Sequence, residues 1–212
     1  MAINYKALDD LHKFVSLHKK ELLIVTKKRT LEDILSLMSL GFCNFGENKV
    51  QEANIKYSDY LSNKQIKISL IGPLQSNKVK LALQTFDVIQ SIDRKKIVDE
   101  IIKFKNLEMK TKCFFIQINI GNEQQKSGIS EENLFDFYNY CIEGGLTIEG
   151  LMCIPPYNED PAPYFKKMNV LRDKLNSNLK LSMGMSSDYK IAIKFNSDLV
   201  RVGSLLFNEN SN

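Results

Sequence analysis

Residues 22–29 combine a strand-like apolar run with a cluster of amines that could do chemistry. Four consecutive β-formers in this run are typical of a buried strand. Because side chains alternate across a strand, Lys27 and Arg29 fall on the same face as Leu23 and Val25. Burial and neighbouring cations would disfavour the charged form of Lys27, and a neutral amine attacks aldehydes to form a Schiff base. The alternative is a strand that ends at Val25, followed by a solvated basic turn.

The composition of the 212-residue chain is that of an ordinary globular protein, with 43% hydrophobic and 25% charged residues. The net charge of +4 is small and its lysines are dispersed, which argues against a nucleic-acid surface. The sequence contains neither an apolar run of the ~18 residues that a membrane span needs nor a signal peptide. We therefore expect a cytoplasmic protein that binds neither nucleic acid nor membrane.

Cysteine and histidine usage restricts the possible chemistry. The four cysteines have no metal-binding spacing and are expected to be reduced thiols. Both histidines, His12 and His18, precede the first predicted strand. No strand end can therefore supply a histidine zinc site or a Ser-His-Asp triad, and no metal site is predicted.

Eight apolar segments alternate with helical patterns, which predicts a parallel sheet with right-handed crossovers. We predict a single (β/α)8 TIM-type barrel over residues 1–207, with an extra N-terminal helix at 4–19 and a disordered tail at 208–212. A doubly wound open sheet is the competing fold. The predicted strands are 22–27, 42–45, 66–71, 87–92, 113–120, 146–154, 179–183 and 199–202.

The segments after strands seven and eight, where barrels often bind phosphate, carry hydroxyl groups and glycine. Met185-Ser186-Ser187 places hydroxyls and backbone N–H groups at a predicted helix start, which suits an anion. Gly203-Ser204 allows close approach of the backbone. These two segments are predicted to hold a phosphate, unless their polar groups serve only as helix caps.

Arg201 is predicted to point into the barrel, because it alternates onto the same strand face as Leu199. A buried arginine needs an anion or another acceptor, and a structural ion pair is the simpler alternative. Asn48 and Ser76 follow other strands and could likewise be no more than helix caps. An inward lysine, a phosphate site and an inward arginine together suit pyridoxal 5′-phosphate (PLP), an aldehyde that carries a phosphate.

Seven ordered motifs, which run almost from end to end of the chain, resemble the pyridoxal phosphate homeostasis protein family, which is similar to the N-terminal barrel of alanine racemase. The resemblance implies that Lys27 forms a Schiff base with PLP, that Asn48 lies near its ring and that Arg201 lies near its pyridine nitrogen or phosphate. It also assigns the phosphate to Met185, Ser186, Ser187, Gly203 and Ser204. The motifs are Phe45–Glu52, Ile71–Lys78, Ser91–Asp93, Ile118–Gly128, Gly150–Pro156, Leu181–Asp188 and Val200–Ser204.

The chain departs from the family pattern at three positions. Thr30 replaces a proline that follows the basic pair, Lys49 replaces a tyrosine, and Ser69 replaces a frequent histidine. Lys28 is a second candidate for the PLP bond, although strand alternation favours Lys27.

The resemblance implies a PLP-binding protein of intracellular PLP homeostasis that has no catalytic activity. The alternative is a PLP-dependent amino-acid racemase, which needs an acid-base group on each face of its substrate. Alanine racemase takes one such group from a second domain, and this chain ends within ten residues of strand eight. A cofactor-free aldolase is a third possibility. We expect a monomer, with PLP-dependent acceptor enzymes as candidate partners.

Overall fold

Eight parallel strands close into one barrel in the computed structural model, which describes residues 3–207. Each strand pairs with the next along the chain, and β8 pairs with β1 to complete the closure. The predicted barrel is therefore confirmed and the open doubly wound sheet is excluded. The strands are β1 Glu21–Val25, β2 Asn44–Glu47, β3 Lys67–Leu70, β4 Val88–Ile92, β5 Cys113–Ile118, β6 Ile148–Cys153, β7 Lys180–Ser182 and β8 Leu199–Val202.

Helices surround the barrel, and short 3₁₀ turns lie at Ser58–Tyr60 and Ser76–Lys78. Between residues 3 and 207 no helix is long and apolar enough to cross a membrane. The predicted disordered tail at 208–212 lies outside the described residues. The helices are α1 Tyr5–Leu17, α2 Leu31–Ser39, α3 Val50–Lys56, α4 Val79–Thr85, α5 Lys95–Ile102, α6 Leu134–Glu143, α7 Ala162–Leu175 and α8 Tyr189–Lys194.

The predicted N-terminal helix, α1, is confirmed and has a definite place in the outer ring. The Phe14 ring lies 5.7 Å from that of Tyr189 in α8, and the His12 ring lies 5.1 Å from that of Phe42, which follows α2. In the described part of the chain no helix follows β8. The N-terminal helix therefore covers the side of the barrel where an eighth crossover helix would pack.

The two faces of the strands meet different surroundings. Side chains such as Ile24 and Ile68 join the large apolar core between sheet and helices. The barrel interior also contains polar side chains: Ser182 of β7 donates a hydrogen bond of 2.7 Å to Oε1 of Gln90 in β4. Leu23 and Val25 point into this interior and form a small apolar cluster there with Leu199. The alternation of β1 is thus the one that the sequence predicts.

Candidate functional site

A cavity of about 400 Å³ opens at the carboxyl-terminal end of the strands, where barrels carry their functional sites. Its volume is in the range of small-molecule sites. All eight site residues that the sequence predicts line it, and they come from four different strand ends. The full lining is Val25, Lys27, Asn48, Ile71, Ile154, Tyr157, Met185, Ser186, Ser187, Arg201, Gly203 and Ser204.

Lys27 reaches the cavity from a turn rather than from a strand. Strand β1 ends at Val25, and the Arg29 N–H closes a turn by donating to the Thr26 carbonyl at 3.0 Å. Lys27 is exposed, so the predicted burial of its amine is wrong, and the alternative of a basic turn after Val25 is correct. Lys27 still lies on the side that Val25 occupies, since both line the cavity. Lys28 is exposed outside the cavity lining, with φ of 61°.

Arg29 does not share the face of Lys27, contrary to the prediction. Its guanidinium is buried and lies 4.5 Å from the centre of the Phe207 ring. The turn at Thr26 ends the regular alternation of β1, and this is why the two cations point to different surroundings.

The loops after β7 and β8 together form a concave set of hydrogen-bond donors. The Ser186 hydroxyl oxygen accepts from the N–H groups of Gly203, at 3.4 Å, and Leu205, at 3.3 Å. Within residues 3–207 the N–H groups of Ser186, Ser187 and Ser204 donate to no protein acceptor. These groups, with the serine hydroxyls, can hold an anion such as a phosphate.

The helix after β7 starts later than predicted, at Tyr189 instead of residue 186. The Met185 N–H donates to the Asp188 carboxylate at 2.5 Å, which holds residues 186–188 in a turn ahead of the helix. Burial raises the pKa of this carboxyl, although the Met185 N–H and the charge of Arg201 counteract it. The N–H groups that remain available to an anion therefore belong to a turn, and the N–H of Met185 is not among them.

Arg201 points into the barrel, as predicted, and its side chain is fixed by neutral acceptors. Nη1 donates to the carbonyl and hydroxyl oxygens of Ser182 at 2.6 and 2.7 Å, and Nη2 donates to the Cys153 carbonyl at 2.7 Å. Burial lowers the pKa of the guanidinium, while Cys153 and Asp188 act in the opposite direction. Three of its five N–H donors are thus engaged within the described chain, which leaves two for a ligand.

Asn48 is not a helix cap, because Lys49 occupies the cap position of α3 and the Asn48 side chain makes no capping bond. The Asn48 amide is therefore available to the cavity that it lines. Ser76 lies in a 3₁₀ turn outside the cavity lining. A β-carbon built on Gly72 would lie 2.2 Å from the Asn48 carbonyl oxygen, so the loop after β3 packs directly on this residue.

Sequence reasoning missed four residues of the cavity. Val25, Ile71 and Ile154 supply apolar walls, and Tyr157 lies at the mouth with 91% of its surface exposed. The first three could have been found as the last apolar residues of their predicted strands. Tyr157 had no signal beyond its place after a pair of prolines.

The residues of the cavity fit PLP. An exposed amine, unpaired N–H groups, a buried guanidinium with unused donors and apolar walls match an aldehyde, a phosphate, a ring nitrogen and a planar ring. A β-carbon on Gly203 would lie 3.0 Å from the Val25 carbonyl oxygen, so the absence of a side chain there allows the loop after β8 to approach the end of β1, next to the Lys27 turn.

Comparison with known proteins gives consistent matches along the chain. The family described as "Alanine racemase, N-terminal domain" matches residues 2–211. A pyridoxal phosphate homeostasis protein of Aquifex aeolicus is 40% identical over 200 residues, which cover 89% of this chain and 86% of the relative. The protein of the same name from Pasteurella multocida is 38% identical over 199 residues, covering 88% of this chain and 85% of the relative.

Solved structures show the same fold. PipY of Synechococcus elongatus, solved with PLP bound, is 26% identical with a TM-score of 0.84, covering 96% of this chain and 99% of PipY. Alanine racemase of Corynebacterium glutamicum, at 14% identity and a TM-score of 0.69, shares the barrel fold over 94% of this chain and 59% of the racemase. The chain therefore belongs to the pyridoxal phosphate homeostasis protein family, within the wider family of alanine racemase N-terminal domains.

Proposed function

We propose that this chain binds PLP covalently through Lys27 and serves to balance the supply of the cofactor, without catalysing a reaction of its own. The observation that carries the proposal is the convergence of Lys27, Arg201 and the unpaired N–H groups of two loops on one cavity. The names of the relatives and the PLP-bound state of PipY support it.

Each group of the cavity has a role in this proposal. PLP supplies an aldehyde carbon that an amine can attack, with loss of water. Lys27 is the amine, and the N–H groups of Ser186, Ser187 and Ser204 hold the phosphate. Asn48 lies beside the ring. Arg201 donates to the ring nitrogen or the phosphate, and at the nitrogen it would favour the unprotonated form, which is a weak electron sink.

The test is to trap the lysine. Protein incubated with PLP is reduced with borohydride and mapped by peptide mass spectrometry. We expect the wild type and Lys28→Ala to carry the label on Lys27, and Lys27→Ala to carry none while it keeps its unfolding temperature. Lys28 is the matched control, because it is an adjacent exposed amine outside the cavity lining. A label retained by Lys27→Ala would contradict the assignment.

The absence of catalysis needs its own experiment, because a racemase requires a second acid-base group opposite the lysine. Tyr157 lies at the cavity mouth, and its phenol is the group that could serve as this second acid or base in a racemase. We expect no conversion of either enantiomer of common amino acids in a chiral assay of the PLP-loaded protein. Turnover by the wild type that disappears in Lys27→Ala would contradict the proposed function and identify the protein as a racemase.

We further propose that the protein acts as a cytoplasmic monomer that passes PLP to PLP-dependent enzymes. The exposure of Lys27 at the cavity mouth supports release without unfolding, and four cysteines without disulfides among residues 3–207 suit a reducing compartment. Light scattering tests the monomer, and activation of a PLP-free acceptor enzyme by the loaded protein tests the transfer. A stable dimer, or activation no faster than with released free PLP, would contradict these statements.

A further inference from the structure

A buried ionic cluster lies directly behind the turn that carries Lys27. The ammonium of Lys56, at the end of α3, donates to Glu47 Oε1 and to the Thr26 carbonyl, each at 2.9 Å. The Glu47 side chain is fully buried, and that of Lys56 is 9% exposed. Glu47 is the last residue of β2, so the cluster joins the ends of two strands to a helix.

The hydroxyl of Thr26 belongs to the same cluster and has only one possible orientation. It donates to Glu47 Oε1 at 2.7 Å, so the Tyr57 hydroxyl at 2.9 Å must be the donor toward Thr26. Burial raises the pKa of Tyr57, which keeps its hydroxyl protonated for this role. Both the carbonyl and the hydroxyl of the residue before Lys27 are therefore fixed.

The residue after Lys27 is fixed from the same helix. The Lys28 N–H donates to the Glu52 carboxylate at 2.9 Å, and this carboxylate lies 3.6 Å from the Lys56 ammonium. That backbone bond is also the main reason why the pKa of Glu52 is lowered. The backbone on either side of Lys27 is thus held by one helix, while the Lys27 side chain extends into the cavity.

Stability alone is a poor explanation for this arrangement. Burying an ion pair costs desolvation energy that its attraction only partly returns, and apolar side chains of similar volume often stabilise more. Burial raises the pKa of Glu47, an effect that the charge and hydrogen bond of Lys56 only partly reverse. The contacts converge on the main chain around Lys27, which is where a reactive group would need support.

We propose that Glu47, Glu52 and Lys56 are positioning residues that hold the Thr26–Arg29 turn so that the Lys27 amine stays beside the phosphate-binding loops. This inference rests on the proposed function, since it concerns covalent attachment at that site. A pre-ordered turn lowers the entropy lost when Lys27 bonds to the ligand. Loss of the support should therefore impair covalent capture more than reversible binding of the phosphate.

The experiment compares two ligands in Lys56→Met. Borohydride trapping of PLP on Lys27 measures covalent capture, and titration with pyridoxine 5′-phosphate, which lacks the aldehyde, measures the phosphate site alone. We expect the apparent trapping rate to fall roughly 10- to 100-fold, by analogy with misplaced reactive groups. Affinity for pyridoxine 5′-phosphate should change by less than about threefold, because Lys56 is not among the residues that line the cavity.

Lys180→Met is the matched control. It also removes a lysine from an ion pair with a strand glutamate, in this case the pair with Glu149 at 2.7 Å, but at the amino-terminal end of the barrel. We expect its unfolding temperature to fall and its trapping rate to stay at the wild-type value. A loss of trapping in both variants in proportion to stability would overturn the positioning role.

A second variant keeps the inference testable if Lys56→Met does not fold. Glu52→Ala removes the acceptor of the Lys28 N–H without leaving a buried charge, since the Glu52 side chain is 31% exposed. We expect slower trapping again, and wild-type trapping by this variant would overturn the inference. If the wild type itself captures no PLP on Lys27, the proposed function fails; if it does and Lys56→Met captures equally fast, only the inference fails.

Discussion

In the proposed function, main-chain N–H groups supply much of the phosphate binding. Those of Ser186, Ser187 and Ser204 have no protein acceptor between residues 3 and 207. A side-chain substitution cannot delete an N–H group. Removal of the serine hydroxyls would therefore underestimate the contribution of these loops to phosphate affinity. A negative charge placed beside these donors is the sharper test, because it competes with the phosphate and repels it.

Ser204→Asp is therefore expected to raise the Kd for PLP roughly 10- to 100-fold, by the same repulsion that a phosphate group exerts on a neighbouring anion. Ser204 is exposed, so the unfolding temperature should stay the same. An absorbance titration with PLP measures the effect. Ser62→Asp adds the same charge at an exposed serine outside the cavity lining and is expected to bind normally. Equal affinities of the two variants for PLP would show that the phosphate does not bind beside Ser204.

At this scale the sequence predicts which residues meet, but not how deeply each is buried. Strand alternation predicts the side on which Lys27 lies, but Lys27 belongs to the turn after β1, so its exposure depends on where the strand ends. That turn is closed by the hydrogen bond from the Arg29 N–H to the Thr26 carbonyl, a main-chain bond that side-chain patterns do not encode. The same limit explains Arg201. Its inward direction follows from alternation, but its acceptors are carbonyl groups of other strands, which no local pattern identifies.

Among the elements, the loops after β2 and β3 are in unusually close contact. A β-carbon on Gly72 would lie 2.2 Å from the Asn48 carbonyl oxygen and 2.7 Å from its Cα. Main-chain atoms cannot rotate away as a flexible side chain can, so one of the two loops would have to move. Because Asn48 lines the cavity, this packing couples the loop after β3 to the ligand site.

Gly72→Ala should therefore lower both stability, by about 1–3 kcal/mol as overpacked sites do, and affinity for PLP. Chemical denaturation and a PLP titration measure the two effects. Gly41→Ala is the control: its φ of 88° also disfavours alanine, by about 1–2 kcal/mol, but nothing lies within 4 Å of its β-carbon. The control is expected to lose stability and bind PLP normally. Normal affinity of Gly72→Ala for PLP would show that the contact with Gly72 does not hold Asn48 in its binding position.

The elements themselves could be predicted because apolar patterns and turn residues repeat along the chain. All eight strands lie near their predicted places, and Thr30 caps α2 through a reciprocal pair of bonds with Asp33, as a threonine before an apolar run with acids in its first turn indicates. Helix starts follow less directly from the sequence. The alternative that Asn48 caps a helix is wrong, and α8 begins at Tyr189 instead of residue 186, because the Asp188 carboxylate first accepts from the Met185 N–H in a turn. A polar residue after a strand signals a loop, but only the tertiary fold decides whether it caps a helix or faces a cavity.

For the whole molecule, each end of the barrel carries an ionic cluster. The carboxyl-terminal end holds the cavity and, behind it, the Glu47–Lys56 pair. The amino-terminal end holds a cluster that joins four strands. Lys180 of β7 bridges Glu149 of β6, at 2.7 Å, and Glu21 of β1, at 3.3 Å. The thiol of Cys113 in β5 donates to the Glu149 carboxylate at 2.6 Å. We infer that this cluster stabilises barrel closure and has no part in binding, as is usual for that end of the fold.

Glu149 makes this division testable by pH. Burial alone would raise its pKa, but the hydrogen bonds from Cys113 and Lys180 and the charge of Lys180 bring it below 4.5 in the folded chain. A lowered carboxyl pKa stabilises the fold above the unfolded value of 4.5, and the contribution is lost as the pH falls through the folded value. Glu149→Gln should therefore be less stable than the wild type near neutral pH, and the two should converge in acid. Denaturation midpoints measured across this range check the prediction.

The control for this prediction is Glu131→Gln, which breaks an ion pair with Lys167 whose side chains are 44% and 47% exposed. Exposed pairs contribute little, so its midpoint should follow that of the wild type at every pH. The affinity of Glu149→Gln for PLP at neutral pH should also equal the wild-type value, because the cluster lies at the opposite end from the cavity. A constant stability difference down to acid would assign the effect to packing, and a changed affinity would show that closure of the barrel and binding are coupled.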